Sequence, residues 1–217
     1  MTTEQRVRPI LFSAPMVRAL LSGRKTQTRR AVQFPKWADP AGGIEFSGAA
    51  DGPAALCRET GCFADLHRPP FLVGDLLWVR ETWQTIFERA DGQRFTEAWV
   101  GEHYPKRWIE YAATSDEPPP VWRPSIFMPR KYSRITLRVT EVRCERLKSI
   151  TEANAVAEGI TRVGSRWEAE GICATPVSAA DAYRALWEFI NGPGSWDLDP
   201  WVWVVEFEKI ELARAAA

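Results

Sequence analysis

Residues 134–147 read RITLRVTEVRCERL, and the class of fold turns on them. Ile135, Leu137 and Val139 alternate with polar neighbours, the period of a strand with one buried face. The apolar phase then slips, and Val142 and Cys144 carry it onward. Side chains alternate strictly along a regular strand, so a slip within one strand requires a bulge, as in a tightly curved sheet or barrel.

The C-terminal WVWVVEFEKI, residues 201–210, is the natural partner. Trp201, Trp203, Val205 and Phe207 share one face; the other begins with Val202 and Val204 and ends in Glu206 and Glu208. Further strands are expected at Pro9–Ser13, Leu76–Glu81 and about Trp108–Ala113. Pro15 can open a first helix whose apolar positions are Met16, Val17, Leu20 and Leu21, with Gly23 as its stop. In SITEANAVAEGI, Ser149 and Glu152 fit a capping box with Thr151 as a competing cap. Ala153, Val156, Ala157 and Ile160 would be the buried face of that helix, ended by Gly159. A third helix spans about Ser178–Ile190, with Ala182, Tyr183, Leu186, Trp187 and Ile190 as its buried stripe. Residues 35–70, rich in Pro, Gly, Ala and Asp, and residues 82–133 read as insertions or long loops. Strands outnumber helices and several look hairpin-connected. The expected class is therefore α+β, a single domain over residues 1–217 with a small curved sheet or barrel.

Composition narrows the function. Charged residues make up 26% of the 217, and the formal net charge is zero, so extended nucleic acid is not favoured as a partner by total charge. A local basic cluster remains in Arg18, Arg24, Lys25, Arg29 and Arg30. Eleven tryptophans imply an aromatic core and offer surfaces on which a base could stack. No apolar run of about 18 residues occurs, so no membrane span is expected. The polar start MTTEQRVRP is no signal peptide. The expected setting is the cytoplasm, with Cys57, Cys62, Cys144 and Cys173 reduced. Cys57, Cys62 and His67 form a C-x4-C-x4-H run that is one ligand short and too widely spaced for zinc, and it reads as a loop with free thiols. No Gly-rich phosphate loop, no G-x-S-x-G elbow and no dense His and carboxylate cluster is present. With His67 and His103 the only histidines, a catalytic base would have to be another residue, and no cofactor is called for.

GRKTQTRR, residues 23–30, supplies a candidate base. Neighbouring arginines disfavour another positive charge, and burial would add to this, so Lys25 could be held neutral. On a regular strand, Lys25 and Thr28 would point to opposite faces; they converge only if Lys25 sits in the turn after the helix while Thr28 begins the strand. Thr26 is an equal competitor by spacing, and a solvated basic turn explains the whole stretch without chemistry. Glu158, at the negative end of its helix, is a second misplaced charge.

GRKTQTRR, VGDLLWV, ITEANAVAEGI and WVWVVEF, in this order, resemble the ASCH domain family. RPILFS, WVRETW, WRPSIFMPR and INGPGSW extend the likeness to the longer ASCH proteins of bacteriophages and prophages. The resemblance implies a PUA-like β-barrel with flanking helices. It also implies an amidohydrolase that removes the acyl group from N4-acylated cytosine or cytidine, such as N4-acetylcytidine. In the family pattern the lysine of GRKT matches Lys25, the nucleophilic threonine three residues on matches Thr28, and the helix-end glutamate matches Glu158. A carboxylate beside Lys25 would raise the lysine's pKa, the wrong direction for a base; either the arginines outweigh it or Glu158 carries the proton and serves as the acid.

For the substrate, a nucleoside or nucleobase, stacking could come from Trp83, Trp122 or Phe127. Glu81 could accept from an exocyclic amine, Arg29 could bind the acyl oxygen, and Arg123 and Ser125 could line the mouth. The competing functions are an RNA-binding PUA-like module and a ribonuclease.

Overall fold

The fold comes from a computed structural model that describes residues 6–33, 69–97, 106–172 and 176–211, together with the backbone of 44–49 and 52–57. It is a mixed α+β structure centred on five strands: β1 (Val7–Leu11), β2 (Gln27–Ala31), β5 (Leu76–Arg80), β9 (Thr136–Arg146) and β12 (Trp201–Ile210). Their order is β1-β5-β9-β12-β2. β1 runs parallel to β5, and the other neighbours are antiparallel.

The phase slip in β9 is a bulge. Glu206 pairs with Glu141 and Phe207 with Val139, so Thr140 is the extra residue. Bulges bend a strand and increase its twist. The sheet curls until Arg30 on edge strand β2 donates to the Leu11 carbonyl on edge strand β1 at 2.7 Å. No strand pairing closes the sheet among the described residues, so the expected barrel is, in hydrogen-bond terms, an open curved sheet. Pro9, which has no N–H to give a ladder, is tolerated because β1 is an edge strand.

β12 is buried on both faces. Trp203, Val205 and Phe207 join Val17, Leu20, Leu77, Leu137 and Val139 in one core. Val202 and Val204 face a second core with Leu147, Ile160, Ala182, Tyr183 and Trp187. The first core is roofed by helix α1 (Ala14–Leu21), which links β1 to β2, has Pro15 in its first turn and is followed by Gly23 at φ +74°. The second is covered by α2 (Glu152–Ala157) and α3 (Ala179–Asn191).

Both segments that read as insertions or long loops contain strands. Residues 35–70 contain an antiparallel hairpin, β3 (Ile44–Ala49) with β4 (Gly52–Cys57), where a loop was expected from the Gly, Ala and Pro content. Residues 82–133 hold a three-stranded sheet, β6 (Trp83–Glu88) flanked by β7 (Arg94–Phe95) and β8 (Lys106–Tyr111). A short hairpin, β10 (Thr161–Val163) with β11 (Arg166–Glu168), follows α2. Cys62, His67, His103 and Cys173 lie outside the described residues, as does the Cys57 side chain, so the zinc question falls there too. Among the described residues no helix is long and apolar enough to cross a membrane.

Candidate active site

Gly23 turns the chain out of α1, and Lys25 folds back beneath it. The backbone of this turn is tied on both sides. Lys25 N–H donates to the Ala19 carbonyl, Thr26 N–H to the Ala157 carbonyl, and Thr26 C=O accepts from Phe207 N–H. Lys25 therefore lies in the turn and Thr28 in the strand, the arrangement needed for the two to converge. Thr26, the competing hydroxyl, is exposed and does not line the cavity described below.

The Lys25 side chain is fully buried, and its amine donates to the Glu158 carboxylate (Oε2, 2.8 Å) and to the Glu158 carbonyl (2.7 Å). Both acceptors come from the end of α2, where the carbonyls have no partner in the helix. Burial lowers the Lys25 pKa from its usual value near 10.5. Glu158 opposes this through its charge and hydrogen bond, and Arg30 and Arg29 add to the lowering. The direction is the one a base requires, and desolvation, rather than the arginines, is its main cause.

Thr151, not Ser149, is the N-cap of α2, accepting from Asn154 N–H at 3.2 Å. Glu152 instead accepts from the Ala179 and Ala180 N–H groups at 2.8 and 3.2 Å, tying the first turn of α3 to α2. The buried face of α2 is also rotated from expectation: Ala155, Glu158 and Ile160 are buried, whereas Ala153 is exposed and Val156 is 40% exposed. The helix turns Glu158 inward to meet Lys25, and Val156 must then face out. Gly159, at φ +103°, makes the stop; a Cβ there would lie 3.1 Å from the Ala19 Cβ and 3.5 Å from the Lys25 Cβ. Gly159→Ala is expected to cost about 2 kcal/mol through the positive φ and this contact, readable as a lower melting temperature.

Arg29 is held by a closed polar ring on the second-core face of the sheet. Its Nη1 donates to Gln27 Oε1 and to Glu158 Oε1 (3.3 Å), and its Nη2 to Glu145 Oε2 (3.3 Å). Gln27 Nε2 donates to Glu206 at 2.9 Å, and Arg143 links Glu206 (2.6 Å) back to Glu145. The register makes this possible: Gln27 pairs with Glu206, Arg29 and Arg143 both pair with Val204, and Glu145 with Val202. Two of the five cations in the basic cluster, Lys25 and Arg29, are thus internal.

A cavity of about 650 Å³ runs along the open edge of β2. Because it lies at a strand edge, consecutive residues from both faces, Thr28 to Ala31, reach it. Glu158, Gly159 and Ile160 form its floor, and Pro15, Met16, Leu186 and Ile190 give it apolar walls. Thr28 is 3% exposed overall, and its hydroxyl has no protein hydrogen-bond partner among the described residues. It is not one of the enclosed unpaired polar atoms either, so it opens into the cavity. Lys25 supports Glu158 from behind and is not part of the wall, and no hydrogen bond joins its amine to Thr28.

The other residues proposed to bind substrate divide. Arg29 and Ser125 line the cavity, together with Thr82. Glu81, Trp83, Trp122, Arg123 and Phe127 do not. Glu81 is fully buried and accepts both bonds of an Arg134 fork at 2.8 and 2.9 Å, which clamps the end of β5 to the start of β9. Arg134→Met is expected to cost about 2 kcal/mol in urea unfolding, because it leaves that carboxylate buried without a partner. Trp83 is packed against Tyr132 with ring centroids 5.0 Å apart, and the Arg123 guanidinium covers it at 5.4 Å. Its ring is occupied by the protein and is not free to stack on a base. Phe127 is 70% exposed, away from the cavity wall. Sequence reasoning missed Gln27 and Glu145 as partners of Arg29, and it read Tyr183 only as core, although Tyr183 also lines the cavity.

No family model, curated protein or solved structure matches this chain.

Proposed function

We propose that the chain is an ASCH-type amidohydrolase on a PUA-like curved sheet, removing the acyl group from N4-acylated cytosine or cytidine. One observation carries this reading: a buried lysine–glutamate pair, its glutamate on the cavity floor, lies beside an unpartnered threonine hydroxyl that opens into the same cavity. A hydroxyl that opens into a cavity with no protein partner is accessible to a substrate, and a buried amine with a lowered pKa is the group that could deprotonate it.

In the proposed reaction the Thr28 oxygen adds to the acyl carbon, and its proton passes to the neutral Lys25 amine. That transfer needs the approach to tighten when substrate fills the cavity, or one bridging water. The tetrahedral intermediate collapses with cleavage of the C–N4 bond, and the departing cytosine amine takes a proton from the Lys25 ammonium. Water then adds to the Thr28 ester, giving up a proton to Lys25. Cleavage of the ester releases the carboxylic acid, and the Lys25 ammonium returns its proton to the departing Thr28 oxygen, restoring the hydroxyl and the neutral amine. Glu158 orients the amine and balances its charge while it holds the proton.

The test is incubation with N4-acetylcytidine, followed by the ultraviolet change on conversion to cytidine. Turnover by the wild type that disappears in Thr28→Ala and Lys25→Ala is the expected result. No turnover, with RNA retention that weakens as salt rises, would replace the enzyme with a binding module. Cleavage of labelled RNA, lost in the same variants, would make it a nuclease. The burial of Lys25 and Arg29 removes two cations that a phosphate-binding surface would need.

A further inference from the structure

We propose that Tyr183 is the hydrogen-bond donor to the substrate's acyl oxygen, a catalytic residue supplied by α3. The inference rests on the amidohydrolase reading above. Acyl transfer builds negative charge on the carbonyl oxygen, and a preformed donor must face the place where that charge develops.

Arg29 is the first candidate by charge, but its terminal nitrogens already donate to Gln27, Glu158 and Glu145, and its Nε is enclosed within the protein. Tyr183 is differently placed. It is 4% exposed, and its ring is fixed by Trp187 and Trp196, with centroids 6.4 and 6.3 Å away. The Arg29 guanidinium lies 6.0 Å from the ring centroid. Its hydroxyl makes no hydrogen bond with the described residues, yet it is not among the enclosed unpaired atoms, so it reaches the same cavity as Thr28. A buried tyrosine hydroxyl normally finds a partner, and here the free space at its tip is the substrate cavity.

The electrostatics select one role for it. Burial first, and then the Glu158 charge, hold the phenol's pKa well above its usual 10, against a weaker opposing effect of Arg29 and Arg30. A phenol that keeps its proton is neither base nor nucleophile. It is a neutral O–H donor that strengthens its bond as the acyl oxygen becomes negative, in a site sheltered from water.

Tyr183→Phe isolates the hydroxyl, since the ring contacts remain. The expected result with N4-acetylcytidine is a fall in kcat of about 10²–10³-fold. KM should change little, the shape of the pH profile should be preserved, and the urea midpoint should be unchanged. A kcat within about twofold of wild type, or a loss confined to KM, would overturn the role of Tyr183 while leaving the amidohydrolase intact. A fall in the urea midpoint would also overturn it, by showing a structural partner for the hydroxyl. Absence of turnover in the wild type would instead overturn the reading of function, and this assignment with it.

Discussion

Glu158→Gln is expected to lower the unfolding free energy by about 3–5 kcal/mol at pH values where the Lys25 amine holds its proton, a loss measurable by urea denaturation. The substitution keeps the shape of the side chain and removes the charge that faces a fully buried amine at 2.8 Å. Glu158 is the main influence that raises the Lys25 pKa against burial, so without it that pKa falls further below its ordinary value of 10.5. In the unfolded chain Lys25 regains its ordinary affinity for a proton. Between the folded and unfolded pKa values the unfolded state binds more protons, so stability rises with pH. The deficit of Glu158→Gln relative to wild type should therefore shrink as pH rises through the wild-type folded pKa of Lys25, which lies below 10.5. A loss below about 1 kcal/mol that does not change with pH below 10.5 would show that the pair contributes little. The double variant Lys25→Met with Glu158→Gln has no stranded charge at either position, and Arg29 keeps Gln27 and Glu145 as acceptors. It should recover much of the lost stability while remaining inactive, which separates the pair's part in folding from its part in chemistry.

The strands were legible because their side chains obey short-range rules. Alternation in 134–147 located β9 and its slip, and the slip is the bulge at Thr140. The two apolar faces of WVWVV became the two cores. The errors share a cause. A pattern rule assigns Lys25, Arg29 and Glu158 to solvent because their partners lie far away in the chain: 133 residues separate Lys25 from Glu158. The same rule put Ala153 and Val156 on the buried face of α2, since it gives an apolar residue priority over a carboxylate; the buried ion pair reverses that priority. Glu152 was read as closing a capping box within its own helix, yet it caps α3, a contact that only the packing of the two helices creates. The ring through Gln27, Arg143, Glu145 and Glu206 left no local trace either, because alternating charges on a strand look alike whether water or another strand's side chain meets them. Residue physics left Thr26 and Thr28 tied, and the family resemblance favoured Thr28. Thr28 lies in β2 and lines the cavity, whereas Thr26 is exposed and does not line it.

Thr28→Val should abolish turnover of N4-acetylcytidine, a fall of at least about 10³-fold in kcat. Its unfolding free energy should stay within about 0.5 kcal/mol of wild type. The two expectations come from one fact: the hydroxyl has no protein partner among the described residues. Valine has the same branched shape and suits a strand at least as well, so the pairing of Thr28 with Val205 survives, and no buried acceptor loses a donor. A residue with a structural role would show the reverse, a loss of stability in proportion to its loss of activity. Thr28→Ser keeps a hydroxyl and should retain part of the rate. Adding Glu158→Gln to Thr28→Val should slow the reaction no further, because groups that act as one nucleophilic unit fail together. Residual turnover in Thr28→Val that was removed by the second change would mean that the pair activates water directly. Thr28 would then be only a wall of the cavity.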